Sequence, residues 1–179
     1  NNDKKSDLSE SVFSSNNPKS FCTHCLGLGI ETVVSESLLI PDKEKSLKDG
    51  AILFFKGSHE SKEQKSLEAL CDYYGININK KFSELSEKEL YQLLYSNDKI
   101  KYKISYKEGK RRKQHYIFLQ GAISAITEKI TQSDNSSSHV AYSKYLEDVP
   151  CHVCGGAKLK REVLDYRING LNYYDVENM

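Results

Sequence analysis

Cys22-Thr23-His24-Cys25 and Cys151-His152-Val153-Cys154 are the two places in this chain where residue types and spacing could do chemistry. A two-residue spacer turns both thiolates of a pair toward one point, and two such pairs supply the four soft ligands of a closed tetrahedral zinc site. Leu26-Gly27-Leu28-Gly29 follows the first pair and Gly155-Gly156 the second. These glycines let backbone amides fold back toward the sulfurs. The expectation is one structural Zn2+ held by Cys22, Cys25, Cys151 and Cys154, with everything between Cys25 and Cys154 as one insertion whose ends are held together. Two other chemistries compete. A redox C-x-x-C pair ordinarily opens an amphipathic helix, which neither pair here precedes. A secreted disulfide framework fits poorly with five cysteines and no signal-peptide apolar stretch. The fifth, Cys71, follows Leu67-Glu68-Ala69-Leu70 on the apolar face of a helical pattern and reads as core. His24 and His152 lie inside the pairs, but four cysteines already complete the metal's shell. His59, His115 and His139 sit in polar contexts and read as surface residues.

The second chemical feature is a charge run. Lys107, Lys110, Arg111, Arg112 and Lys113 are broken only by Glu108 and Gly109, next to a stretch that carries Lys99, Lys101 and Lys103. A flat, basic, tyrosine-bearing hairpin can lie along a phosphate backbone, each cationic contact releasing counterions. The bland alternative is a solvated edge strand protected by lysine. The chain's net charge is only +1, so any attraction to a polyanion has to be local.

The elements that must position these groups follow from period and punctuation. Ile30-Glu31-Thr32-Val33-Val34 reads as a short strand, Pro41-Asp42 as a turn and Ala51-Ile52-Leu53-Phe54-Phe55 as a second strand. From Ser61 the apolar spacing becomes helical through Leu67, Leu70, Cys71 and Tyr74, and Gly75 ends it, giving a helix over 62–74. Ser86-Glu87-Lys88-Glu89 is a capping-box pattern that opens a helix over 86–95. Lys99 to Tyr106 alternates strictly, Lys107-Glu108-Gly109-Lys110 reads as a turn, and His115 to Leu119 returns as the second strand of a hairpin. Helical spacing recurs over 122–131 and 140–148, with a small polar segment, 133–138, expected to be mobile between them. Val163 to Ile168, Asn169-Gly170 and Leu171 to Val176 read as a second hairpin. With 179 residues, 38% hydrophobic and 28% charged, the chain can bury a real core, and no apolar run approaches a membrane span. The first twenty residues are polar and expected to be loose. The start at Asn1 and the end at Met179 are expected to be cuts inside a larger protein.

The fold class read from these patterns is α+β: a small zinc-anchored module of short strands and β-hairpins, with an inserted helical and hairpin subdomain. The expected divisions are 1–35, 36–148 and 149–179. No phosphate-binding glycine loop and no nucleophile elbow is present, so no catalytic residue is named.

Cys25-Leu26-Gly27-Leu28-Gly29, preceded by Phe13-Ser14-Ser15-Asn16-Asn17-Pro18, resembles the first knuckle of the UvrA subunits of excinuclease ABC. Ile40-Pro41-Asp42-Lys43, Gly50-Ala51-Ile52 and Leu67-Glu68-Ala69-Leu70 continue the resemblance. So do Pro150 to Leu159 and Arg167-Ile168-Asn169-Gly170-Leu171-Asn172, in order along nearly the whole chain. The resemblance implies the insertion region of a UvrA-like ATPase, facing lesion-containing duplex DNA without sequence preference in nucleotide excision repair. It implies a cytoplasmic, homodimeric parent that binds ATP and a UvrB-like subunit through parts outside this chain, with no membrane role. It also implies a further C-x-x-C upstream, which leaves open whether Cys22 and Cys25 share zinc with Cys151 and Cys154 or with that pair. Where the family carries an arginine-rich run, this chain reads Ala125-Ile126-Thr127-Glu128-Lys129, which implies a divergent second-class or resistance-associated paralogue. Two rival functions remain beside DNA engagement: a protein-interaction module on the same scaffold, and a redox protein using the paired cysteines.

Overall fold

The computed structural model describes residues 17–132, 140–168 and 171–172. It divides into two compact units: the chain up to Val33 together with the chain from Glu147, and the stretch Val34–Leu146 between them. Short antiparallel strands, helices and the cysteine cluster make this the expected α+β architecture.

The intervening unit is built on two helices whose starts are written in the sequence. Helix α2 (Lys62–Tyr74) follows α1 (Glu36–Leu39) and begins at Ser61, whose hydroxyl accepts from the Gln64 N–H. Helix α3 (Glu87–Leu94) begins at Ser86 with the full capping box: Ser86 accepts from Glu89 N–H, and Glu89 accepts from Ser86 N–H at 2.7 Å. Lys80 sits 2.9 Å from the same carboxylate. Together the Lys80 ammonium and the Ser86 donors hold Glu89 at about 2. Leu67, Leu70 and Cys71 of α2 and Leu93 and Leu94 of α3 are buried in one cluster with Leu39, Leu47, Ile52, Phe55 and Ile126. Helix α4 (Ala122–Gln132) completes this core. Its entry is tight, because a Cβ on Gly121 would stand 2.3 Å from the Leu94 carbonyl carbon and 2.5 Å from the Tyr95 nitrogen. Only glycine lets α4 start there.

Strands β2 (Lys101–Glu108) and β3 (Arg111–Phe118) pair antiparallel, with Lys101 opposite Phe118 and Glu108 opposite Arg111. Tyr102 fastens β2 to α2, donating from its hydroxyl to Asp72 Oδ2 at 2.5 Å. The turn is shorter than its sequence suggested. Pairing continues through Lys107 and Arg112 to Glu108 and Arg111, leaving Gly109-Lys110 as the bend, so most of the basic run is strand.

Three further expectations are corrected. Ala51–Phe55 is not a strand: Leu53–Phe55 forms a 3-10 turn, with the Phe55 N–H on the Ile52 carbonyl and the Lys56 N–H on the Leu53 carbonyl. A short unbroken apolar run carries no period, and burial of Ala51, Ile52 and Phe55 is satisfied equally by a turn. The helical pattern at 140–148 stops early. A 3-10 turn at Ser143–Tyr145 leads into strand β4 (Leu146–Pro150), which pairs with β1 (Ile30–Val34), so partner strand overrides local spacing. Val163 lies not in a strand but in a single helical turn, α5 (Arg161–Leu164), whose Val163 and Leu164 N–H groups bond the Lys160 carbonyl. Strands β5 (Arg167–Ile168) and β6 (Leu171–Asn172) do pair antiparallel. The expected Asn169-Gly170 turn, the remainder of that hairpin beyond Asn172, the mobile segment 133–138 and most of the loose N-terminus lie outside the described residues. Among the described residues no helix is long and apolar enough to cross a membrane.

Candidate metal centre and nucleic-acid face

Among its described residues the outer unit buries Leu159, Val163 and Ala157 beside its cysteines. Its buried cluster is Cys22, Cys25, Cys151 and Cys154. Backbone pairing brings the two knuckles together: Phe21 and Leu159 form an antiparallel bridge, Cys22 N–H donates to the Lys158 carbonyl at 2.8 Å, and Cys151 N–H donates to the Gly29 carbonyl at 2.9 Å. Gly29 is the hinge of this crossing. Its φ of 79° favours glycine, and a Cβ would meet the Gly156 carbonyl oxygen at 2.7 Å. Freed to turn, its N–H reaches Cys25 Sγ at 3.2 Å. The second knuckle repeats the device, with Gly155 at φ 63° and Gly156 at φ 92°.

Cys22 Sγ lies 4.0 Å from Cys151 Sγ, and Cys25 Sγ lies 3.8 Å from Cys154 Sγ. All four sulfurs are within 4.8 Å of one another. A disulfide needs about 2 Å, whereas sulfurs about 2.3 Å from a tetrahedral ion stand about 3.8 Å apart. The donor set, four soft sulfurs, suits Zn2+ better than the harder cations. Four buried cysteines this close fit a zinc site. Burial resists charge on Cys25, but the Gly29 N–H and the neighbouring thiols outweigh it and bring Cys25 down to about 7. Burial pushes Cys154 up to about 12. Cys71 stands apart on α2, where burial in the apolar core pushes it to about 12 as well, leaving it an inert thiol.

The histidines of the knuckles meet a residue that the sequence did not single out. Glu31, on β1, has Oε2 2.8 Å from His24 Nε2 and Oε1 2.8 Å from His152 Nδ1, and it also accepts the His152 N–H at 3.0 Å. These contacts, the His24 contact foremost, hold its carboxyl at about 2. The signal was present in the occurrence of one histidine inside each pair, but nothing in the sequence indicates which carboxylate they meet.

In the other unit, register sorts the hairpin's side chains into two faces. Tyr102, Ile104 and Tyr106 with their partners Ile117, His115 and Lys113 form one, of which Ile104 is buried in the core. Lys101, Lys103, Ser105 and Lys107 with Phe118, Tyr116, Gln114 and Arg112 form the other. That second face carries four cations and two solvent-exposed rings, Tyr116 at 65% and Phe118 at 51% exposure. The Lys101 ammonium stands 5.8 Å from the centre of the Phe118 ring. Two members of the expected basic run are already partnered: Arg112 with Glu60 at 3.1 Å, and Lys113 with Glu108. Lys110 and Arg111 have no salt bridge among the described residues, and Lys107 donates its backbone N–H to the Glu60 carbonyl at 2.7 Å. The exposed aromatics, missed in the charge run, were legible from alternation once the register was known.

Fold and site together define an α+β module clasped by four thiols and carrying a basic, aromatic-bearing β-hairpin. A family model described as the UvrA DNA-binding domain matches residues 36–144, and the chain belongs to that family. The UvrABC system protein A of Staphylococcus aureus strain N315 is 34% identical over 172 residues, covering 95% of this chain and 18% of the relative. Its namesake from Rhizobium meliloti strain 1021 is 31% identical over 169 residues, 94% of this chain and 17% of its own length. The crystal structure of UvrA2 from Deinococcus radiodurans shares the fold, with a TM-score of 0.62 at 18% identity over 92% of this chain and 21% of that one. The chain thus spans less than a fifth of the length of the curated relatives it matches.

Proposed function

We propose that this chain is the DNA-facing region of a UvrA-like excinuclease ATPase and engages damaged duplex in nucleotide excision repair, with no chemistry of its own. The observation that carries the reading is the hairpin face on which Lys101, Lys103, Lys107 and Arg112 alternate with exposed Tyr116 and Phe118, inside the stretch that matches the family. Cations spaced along a strand suit phosphate contact without base reading, and such contact senses the shape and deformability of the duplex. Lys110 and Arg111, free of salt bridges among the described residues, extend that surface at the bend, while Arg112 and Lys113 first have to leave Glu60 and Glu108.

One Zn2+ held by Cys22, Cys25, Cys151 and Cys154 would tie together the two points where the inserted unit leaves the outer one. When bound, the ion supplies a fixed tetrahedral cross-link and no reactive position. The parent protein is then an ATPase working as a homodimer with a UvrB-like subunit in the cytoplasm, its nucleotide site outside this chain. The division into an N-terminal segment over 1–35, an insertion over 36–148 and a closing segment over 149–179 is part of the same proposal.

A salt titration of duplex binding, followed by fluorescence anisotropy, tests this. The chain alone should bind any duplex with a Kd of roughly 10⁻⁴–10⁻⁶ M, and binding should fall steeply with salt. Binding that ignores salt, or that survives Lys110→Ala with Arg111→Ala unchanged, would move the hairpin's role to protein contact.

A further inference from the structure

The geometry points to a second metal site on the outer unit, formed by His24 Nε2, a Glu31 carboxylate oxygen and His152 Nδ1, that takes a borderline divalent ion such as Zn2+ or Ni2+. These ligand atoms lie within 4.8 Å of one another, with both imidazole nitrogens 2.8 Å from the carboxylate. Two imidazoles and a carboxylate form a donor set that such ions bind well and that Mg2+ and Ca2+ do not favour. None of the three is a sulfur ligand, so the site is separate from the cysteine cluster although the same two knuckles carry it.

Three features favour an ion over a simple hydrogen-bonded cluster. Both facing nitrogens converge on one carboxylate, and a neutral imidazole whose proton sits on its far nitrogen presents a lone pair to an ion there. With ligands about 2.1 Å from a tetrahedral ion, the nitrogen–oxygen separations need to open by only about 0.6 Å. The imidazoles can move that far, because the His24 side chain is 43% exposed and that of His152 is 67% exposed. The rings also meet edge to face with centroids 4.5 Å apart, which leaves both facing nitrogens convergent rather than stacked away. Finally, a shallow cavity of about 320 Å³ beside His24, Glu31, Thr32 and Asp148 leaves room for water to complete the coordination.

The inference rests on the one-zinc reading only for its reference stoichiometry. The test is metal content and calorimetric Zn2+ and Ni2+ titration of the 179-residue chain after exhaustive dialysis. The expected result is one tightly held Zn2+ that depends on the cysteines, and a second, weaker equivalent that depends on the histidines. H24A with H152A should keep the first and lose the second. E31Q, which keeps the shape of the side chain, should weaken the second by at least about 10-fold and leave the first untouched. A second equivalent that persists in H24A/H152A and E31Q, or its absence from the unaltered chain, overturns the proposal. Loss of the cysteine-dependent ion alone, with the histidine-dependent one intact, would instead overturn the structural-zinc reading and leave this one standing.

Discussion

The outer and intervening units solve the same problem with different materials. The intervening unit buries aliphatic and aromatic side chains from Leu39 to Tyr145 around α2, α3 and α4. The outer unit buries four cysteines and closes its knuckles through backbone bonds at Gly29, Cys151 and Lys158. One is held by apolar area removed from water; the other has chain reversals and a four-thiol cluster that, with the proposed ion, would supply ligand bonds. The two should therefore respond to opposite insults, and a perturbation that cannot tell them apart would contradict the comparison.

The largest expected effect is that of the ion proposed for the four cysteines. Structural zinc in small modules contributes about 10–16 kcal/mol of apparent free energy near neutral pH. Chelation, or Cys22→Ala with Cys151→Ala, should abolish hydrogen-exchange protection around the knuckles while α2 and α3 keep theirs. Simultaneous loss of both would mean that the intervening unit has no stability of its own. The converse is Leu70→Ala, which empties a site that is 1% exposed in the core. It should lower stability by about 2–5 kcal/mol in thermal unfolding without changing metal content.

A finer probe is Glu89. Its carboxyl sits at about 2 against an ordinary 4.5, so its contribution is complete above 4.5 and is lost as pH falls toward 2. Glu89→Gln should lower stability at neutral pH by about 1 kcal/mol, the usual worth of a cap. The difference from the unaltered chain should shrink as the solution is acidified through that window. A pH-independent difference, measured by denaturant titration, would locate the effect in packing instead. The smallest effect separates two neighbouring arginines. Arg111→Ala should reduce the salt slope of duplex binding by about 1. Arg112→Ala, already engaged with Glu60, should reduce it less. Equal slopes would mean that the Glu60 contact opens freely on binding.

What the sequence disclosed depends on the kind of signal. Helix starts were legible because Ser61 and Ser86 do local chemistry, satisfying backbone donors within one turn. The β2–β3 pairing was legible because alternation from Lys101 to Tyr106 repeats with the period of a strand. The cysteine cluster was legible because each pair specifies its own geometry. Features decided by a distant partner were not. Leu146–Pro150 becomes a strand because β1 lies beside it, and Ala51–Phe55 becomes a turn because burial, not period, is what its side chains share. Glu31 was invisible for the same reason. It is one carboxylate among many until the fold sets it between two histidines 128 residues apart in the chain, His24 and His152.

An ion held by the sulfur cluster would join positions 129 residues apart, Cys22 with Cys151 and Cys25 with Cys154. In polymer terms it closes a very long loop, and the entropy of such closure grows only with the logarithm of length. Doubling the enclosed chain would add only about 0.6 kcal/mol. Behind this closure the loop can lengthen, shorten or be exchanged for another folded unit with little penalty at the junction. Such a clasp would be indifferent to the length of what it encloses.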